Sequence, residues 1–345
     1  MVARAASLPY LSPMFVRFAS WLALAIAVSP APAGQTPGVG SDGAMLEAVR
    51  AADARLAGIA FRLTTANAPL CRDLQATPGV VLHALDQYDP KLRPAATRTF
   101  GFEAPVAAEL VVAGSPAARA GVRANDAVIA VNDDAMPTTA AAGISTPTRD
   151  AAAAVLAAQR PDEPLRFDLL SGGQRRTMTA AASPGCRATF ELLLGPKLVA
   201  RSDGRNVQIG ARYLDKFADD QVAVLVAHEL AHIILRHRER LEAAGVKWGM
   251  LSEFGRNARL FRRTEEDADL LGAYLMRNAG YDPQVAVRFW GEDIGSLDGG
   301  VFHSRTHPGS GARSRAVANE LAALPPGAPV PYFPPVLATR DQPLR

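Results

Sequence analysis

Between positions 222 and 237 the chain reads Val222-Ala-Val-Leu-Val-Ala-His228-Glu229-Leu-Ala-His232-Ile-Ile-Leu-Arg-His237. The apolar residues recur at helical spacing, and Asp219 and Asp220 are placed to cap the start. On such a helix His228 and His232 stand one turn apart, about 40° around the axis, so both imidazoles reach a single divalent cation. Zinc is the natural occupant of this pattern, with Glu229 beside it as general base toward a water molecule. The chain has only 2 cysteines, too few for a four-thiolate site, so a metal must be held mainly by histidine and carboxylate.

A catalytic zinc site needs a third protein ligand and one open position. The metzincin pattern would place glycine at 235 and histidine at 238, where this chain has Leu235 and Arg238. His237 lies five residues beyond His232, about 140° around a continuous helix, and reads as a capping or surface histidine. The other class uses a carboxylate from a second helix. Thr264-Glu265-Glu266-Asp267-Ala268-Asp269 opens one, with Thr264 as its cap and Gly280 as its stop. Glu265 and Asp269 share a face at i and i+4, which suits a ligand followed by a carboxylate that receives a histidine N–H. The same acidic run suits the positive end of a helix dipole, and spacing alone leaves both readings open.

These residues resemble the gluzincin metallopeptidases of family forty-eight, the HtpX-like and CAAX-prenyl-protease-like group. That family pairs a helical H-E-x-x-H with E-x-x-A-D, matched by His228 to His232 and by Glu265 to Asp269. Ala279-Gly280-Tyr281-Asp282-Pro283 and Thr306-His307-Pro308 followed by Arg313 add two further motifs, so the resemblance covers residues 190–324. It implies one Zn2+ per chain held by His228, His232 and Glu265, with Asp269 behind them and Glu229 as the base. It places His307 near the metal, stabilising an oxyanion or filling the fourth position at rest. It also implies a mainly helical zincin-type domain with a small sheet, whose strand near 207–213 aligns the substrate. A single apolar segment separates this chain from the membrane-embedded members and makes it more similar to the periplasmic, BepA-like type.

Phe100-Gly101-Phe102, Val111 to Val122 and Asn125 to Asn132 resemble a PDZ domain of the kind attached to bacterial proteases. Such a domain adds an extended peptide to a sheet edge beside a helix and takes its terminal carboxylate on backbone N–H groups. The resemblance assigns that loop to Phe100, Gly101 and Phe102 and the opposite wall to a helix over 148–159. A partner's C-terminal peptide is the ligand it implies; the chain's own tail, ending in Arg345, is not. At the position usually held by glycine, Asn125 tolerates the left-handed turn.

The elements that position these residues follow from composition and patterning. Residues 1–33 hold Arg4 and Arg17 but no acid, then an apolar run from Phe18 to Val28, then Ala31 and Ala33 at A-x-A spacing. This reads as a secretory leader, with an uncleaved anchor as the alternative, and places the protein in a periplasmic or secreted location. Its removal takes the formal net charge from +3 to about +1. With 37 basic and 34 acidic residues and no charged tail, nucleic acid is excluded as a partner. After a linker at 34–43 comes a helix at 44–61, within a 44–70 segment that packs on the protease. A PDZ-like domain follows at 72–185 with its core at 99–181. The metallopeptidase occupies 186–324, and a Pro-rich tail at 325–345 is an extended strap or lacks order. The class is therefore α+β. Cys71 and Cys186 bracket the PDZ-like segment as an insertion and are expected to pair in an oxidising compartment. Aromatic and arginine residues alternate over 244–263, as in a lid, a membrane-surface contact or a plain packing segment. The sequence thus predicts an exported zinc endopeptidase acting on protein substrates, such as misfolded or envelope proteins. A non-proteolytic, chaperone-like peptide binder with a closed metal site is the alternative.

Overall fold

The computed structural model describes residues 39–246, 255–294 and 309–344. The expected leader, residues 34–38, Trp248 to Phe254, His307 and Arg345 lie outside the described residues. The chain begins with α1 (Val39–Ala66), followed by β1 (Leu74–Ala76), β2 (Val80–Ala84), α2 (Arg93–Phe100), β3 (Val106–Val111) and α3 (Pro116–Ala120). Next come β4 (Ala127–Val131), β5 (Asp134–Ala135), α4 (Pro147–Ala158), β6 (Leu165–Ser171), β7 (Gln174–Ala180) and β8 (Pro184–Cys186). The remainder holds β9 (Thr189–Leu193), β10 (Ala200–Ser202), β11 (Asn206–Gly210), α5 (Ala211–Lys216) and α6 (Asp219–Ile234). It continues with α7 (His237–Ala243), α8 (Gly255–Asn278), α9 (Gln284–Arg288) and α10 (Ser310–Ala322). The mixture of helix and sheet is α+β.

Helix α1 is the spine. Leu56, Ile59 and Leu63 lie on one stripe and enter a core with Val222 to Ala227 and Leu230 of α6 and Ala268, Leu271 and Leu275 of α8. Its first turns pack Leu46 against Ala95, Ala96 and Phe100 of α2. The helix starts at Val39, so residues 39–43 of the expected linker are helical, and Asp42 in the first turn complements the dipole. A second core lies within the antiparallel sheet β2-β3-β4-β6-β7, with β5 on β4. There Val106, Ala108, Val128, Val131, Phe167 and Leu169 meet Ala117 of α3 and Ala152 of α4. Asn125 takes the left-handed conformation at φ 71°.

Phe100-Gly101-Phe102 is not the strand and loop expected of it. Phe100 closes α2 and is 1% exposed, and Gly101 ends that helix at φ 60°. The two phenylalanines pack around His83, with ring centroids 5.2 and 4.4 Å away. Aromatic packing, with Pro94 opening the helix, therefore outweighs the β-like pattern. The edge strand that lies beside α4 is instead β2, preceded by Pro78 and Gly79.

The segment between the two cysteines leaves and returns at one neck. Cys71 and Cys186 form a disulfide, and β1 pairs with β8 in the register Leu74↔Cys186 to Ala76↔Pro184. Beside it Asn67 donates to the Leu275 carbonyl of α8 and accepts from Asn278. Asn278 also exchanges hydrogen bonds with the backbone of Tyr332, so the Pro-rich tail is a strap that buries Val336 and Leu337. No helix of the described residues is long and apolar enough to cross a membrane.

Where α1 meets β3, burial and the charge of Asp53 push the Glu109 carboxyl up to about 8, against the pull of Arg50 and Arg149. A raised carboxyl binds its proton more tightly in the folded state, so its contribution to stability falls as pH rises from about 4.5 through about 8. Glu109→Gln is expected to raise the thermal midpoint at pH 8 by a few degrees and to change it little at pH 5, as read by thermal unfolding at both values.

Candidate metal centre

The small sheet, in the order β10-β11-β9, lies under α6 and delivers the chain to it. Strand β11 is parallel to β9 and antiparallel to β10, so both its edges are paired. It therefore has no edge to offer an extended substrate, contrary to the expectation for residues 207–213, and Ala211 to Tyr213 already belong to α5. Strand β10 has one paired side among the described residues and packs on α6.

Helix α6 starts at Asp219, so its acids lie in the first turn and neither is the cap. Ala218 is the N-cap, its N–H donating to Gln221 Oε1 at 3.0 Å, while Asp219 in the first turn accepts from Arg55 of α1 at 2.7 Å. Val222 to Ala231 are buried without interruption, so the helix runs through the interior and carries His228 and Glu229 there, 3% and 7% exposed. Helix α8 crosses it closely. A Cβ on Gly272 would sit 3.3 Å from the His228 backbone nitrogen, so glycine lets the two helices approach at the level of the site. Thr264 does not cap α8. It lies inside the helix and its hydroxyl donates to the Phe261 carbonyl. Asp267 pairs with Arg263 and takes no part in the cluster.

The crossing brings His228, His232 and Glu265 together. His228 Nε2 lies 3.1 Å from His232 Nε2 and 3.2 Å from Glu265 Oε2, and His232 Nε2 lies 3.5 Å from Glu265 Oε1. Donors at the corners of a tetrahedron with metal bonds of about 2.0 to 2.1 Å stand about 3.3 Å apart, so the spacing and the N, N, O donor set fit Zn2+. Glu229 follows on the same helix, and its charge helps hold the buried Tyr213 phenol above its usual range. Glu229 and His228 are thus buried neighbours on α6, with His232 half-buried one turn on and Glu265 contributed by α8.

Behind the donors lies a chain of charged contacts. His228 Nδ1 is 2.9 Å from Asp269 Oδ1, and Arg313 of α10 grips Asp269 through Nε to Oδ2 at 2.7 Å and Nη2 to Oδ1 at 2.5 Å. The Arg313 guanidinium in turn sits 3.4 Å from the centroid of the Trp290 ring. Burial opposes a charge on His228, yet the hydrogen bonds to Asp269 and Glu265 prevail and raise its pKa to about 10. Arg313 and His228 likewise outweigh burial and hold Asp269 below the usual carboxylate range. Arg313 is legible in the sequence only as part of a motif, and Trp290 not at all. Nothing in local spacing links either to His228. Asp269→Asn removes the negative acceptor and is expected to weaken zinc binding 10- to 100-fold, by competition against a chromophoric chelator.

His237 is not on the surface. It is 1% exposed, and its Nδ1 lies 2.9 Å from Nδ1 of His232. Burial and the nearby His232 and Arg240 charges hold its imidazole well below the usual range. Cys71 and Cys186 lie at the neck, and Phe100, Gly101 and Phe102 lie at the end of α2; none of these belongs to the cluster.

No family model matches the sequence. The chain is 29% identical to the mitochondrial metalloendopeptidase OMA1 of Arabidopsis thaliana over 119 residues, covering 29% of this chain and 24% of that protein. It is 31% identical to OMA1 of Schizosaccharomyces pombe over 125 residues, covering 30% of this chain and 37% of that protein. The chain therefore matches well under half the length of these curated relatives. Among solved structures, the HtrA-type protease AlgW with a decapeptide overlaps at a TM-score of 0.24 and 22% identity, over 33% of this chain and 30% of that one, a likeness that assigns no fold. Over part of its length, the sequence is thus similar to proteins whose names describe metalloendopeptidases.

Proposed function

We propose that this protein is a zinc-dependent endopeptidase of the gluzincin type, with His228, His232 and Glu265 as the metal ligands and Glu229 as the general base. The observation that carries the reading is the set of three donor separations between 3.1 and 3.5 Å on two crossing helices. The partial similarity to named metalloendopeptidases supports it. Zinc at this site would supply a Lewis acid that polarises a scissile carbonyl and acidifies water. Glu229 takes the proton from the attacking water and hands it to the departing amine. Asp269 accepts the His228 Nδ1–H and so makes Nε2 the nitrogen that gives up its proton when metal binds, while Arg313 holds Asp269 ionised. An extended protein substrate pairs with β10, the strand beside α6 whose outer side is unpaired among the described residues. His307 is assigned a role at the metal or the oxyanion from its motif alone.

The antiparallel sheet with α3 and α4 acts as a PDZ-like peptide module. A cleft lined by Leu56, Ala60 and Phe61 of α1, Pro78 to Val81 and Leu156 of α4 lies at the start of β2, where a C-terminal peptide would add to the edge. The protein is exported, a reading that the Cys71–Cys186 disulfide supports because such bonds persist in oxidising compartments. Its substrates are misfolded or envelope proteins. The test is incubation of zinc-loaded protein with an unfolded substrate, with and without chelator. Chelator-sensitive fragmentation supports the peptidase, and intact substrate bound to the protein supports the chaperone-like alternative.

A further inference from the structure

Helix α6 ends at Ile234, and Arg236 then takes a left-handed conformation at φ 55°, ψ 38°, before α7 begins at His237. On an unbroken helix the five-residue step would turn His237 about 140° away from His232. The left-handed residue breaks the helix and swings the ring back. The two imidazoles stand 4.9 Å apart at 78°, with the Nδ1 atoms 2.9 Å apart. A residue with a Cβ adopts this conformation at a cost. Here the turn is held by Arg236, whose Nε donates to Glu239 of α7 at 2.8 Å. His237 is buried, and among the described residues its Nε2 has no hydrogen-bond partner.

We propose that His237 is a positioning residue for the metal ligand His232, accepting its Nδ1–H and thereby fixing both its tautomer and its ring plane; the inference rests on the zinc reading of the site. A histidine can bind a metal through Nε2 only when that nitrogen is unprotonated, so Nδ1 of His232 must carry the proton. Among the described residues, the polar atom 2.9 Å from that Nδ1 is Nδ1 of His237, which therefore accepts and keeps its own proton on Nε2. The opposite arrangement puts the proton of His232 on Nε2, facing His228 and Glu265, where it blocks the metal. The two histidine ligands are supported unequally. His228 leans on the carboxylate of Asp269, whereas His232 leans on a neutral imidazole that adds no negative charge.

The test combines variants with a measurement on the unaltered protein. His237→Phe keeps a ring but removes the acceptor. His237→Asn places a carbonyl oxygen about where Nδ1 lies. Zinc affinity, read by chelator competition, is expected to fall 10- to 100-fold in His237→Phe and to recover to within about threefold of the parent in His237→Asn. Equal affinity in the parent and His237→Phe overturns the proposal, and so does an equal loss in both variants, which would mark a packing role. Should His237→Phe fail to fold, nitrogen-15 imidazole spectra of the zinc-loaded parent decide the matter. They are expected to show His232 protonated at Nδ1 and His237 at Nε2; a proton on Nδ1 of His237 overturns the proposal. A parent that binds no zinc refutes the reading of the site itself, a different failure from either of these.

Discussion

Glu229→Gln is expected to abolish hydrolysis of peptide bonds while leaving zinc affinity near that of the parent. Glu229 stands next to His228 on α6 and is absent from the three-donor cluster, so the amide removes the proton acceptor without removing a ligand. General acid and base catalysis contributes about 10²- to 10⁴-fold, and in the proposed mechanism one group serves both half-reactions, so the loss should lie at the upper end of that range. The variant should also trap substrate. Steady-state hydrolysis of a quenched peptide, run beside a metal count, checks both halves, and undiminished turnover would remove Glu229 from the mechanism.

The second large effect concerns stability. The Cys71–Cys186 bond closes a separation of 115 residues, for which the chain-entropy argument gives about 4 to 5 kcal/mol, while measured cases run nearer 2 to 4. The double variant Cys71→Ser, Cys186→Ser is expected to lose about 3 kcal/mol, seen as a lower denaturant midpoint. Cys186 and Asn67 belong to the neck that joins α1 to α8, so the loss should be felt in the core that holds α6 as well as in the sheet. Zinc affinity below the midpoint should remain, because the donors sit on α6 and α8. An unchanged midpoint would show that β1, β8 and the Asn67–Asn278 contacts close the neck unaided.

Much of the site was legible because it is local. His228 and His232 are one turn apart on one helix, and Glu265 and Asp269 one turn apart on another, so i, i+4 spacing alone puts each pair on a face. Helix α4 lies within a residue of its sequence-based bounds for the same reason: alanine content and flanking turn residues are short-range signals. What escaped depends on contacts distant in sequence or on a single backbone angle. The Arg313 clamp on Asp269 spans 44 positions. His237 reaches His232 only because Arg236 is left-handed, which the helical wheel could not anticipate. Phe100 and Phe102 carried an aromatic-glycine-aromatic pattern that suits a strand, but His83 and Leu46 offered them a core. Strand β11 suits a substrate-aligning edge by resemblance alone, but it is paired on both sides.

Metal-dependent hydrolysis at the cluster of His228, His232 and Glu265 is the activity proposed for this protein. The most direct measurement is mass spectrometry of the fragments formed when zinc-loaded protein acts on an unfolded substrate in oxygen-18 water. New C-termini bearing one heavy oxygen, absent from Glu229→Gln and from chelated protein, are the predicted result. A substrate left whole by zinc-loaded protein, or fragments that form equally after chelation, would contradict it.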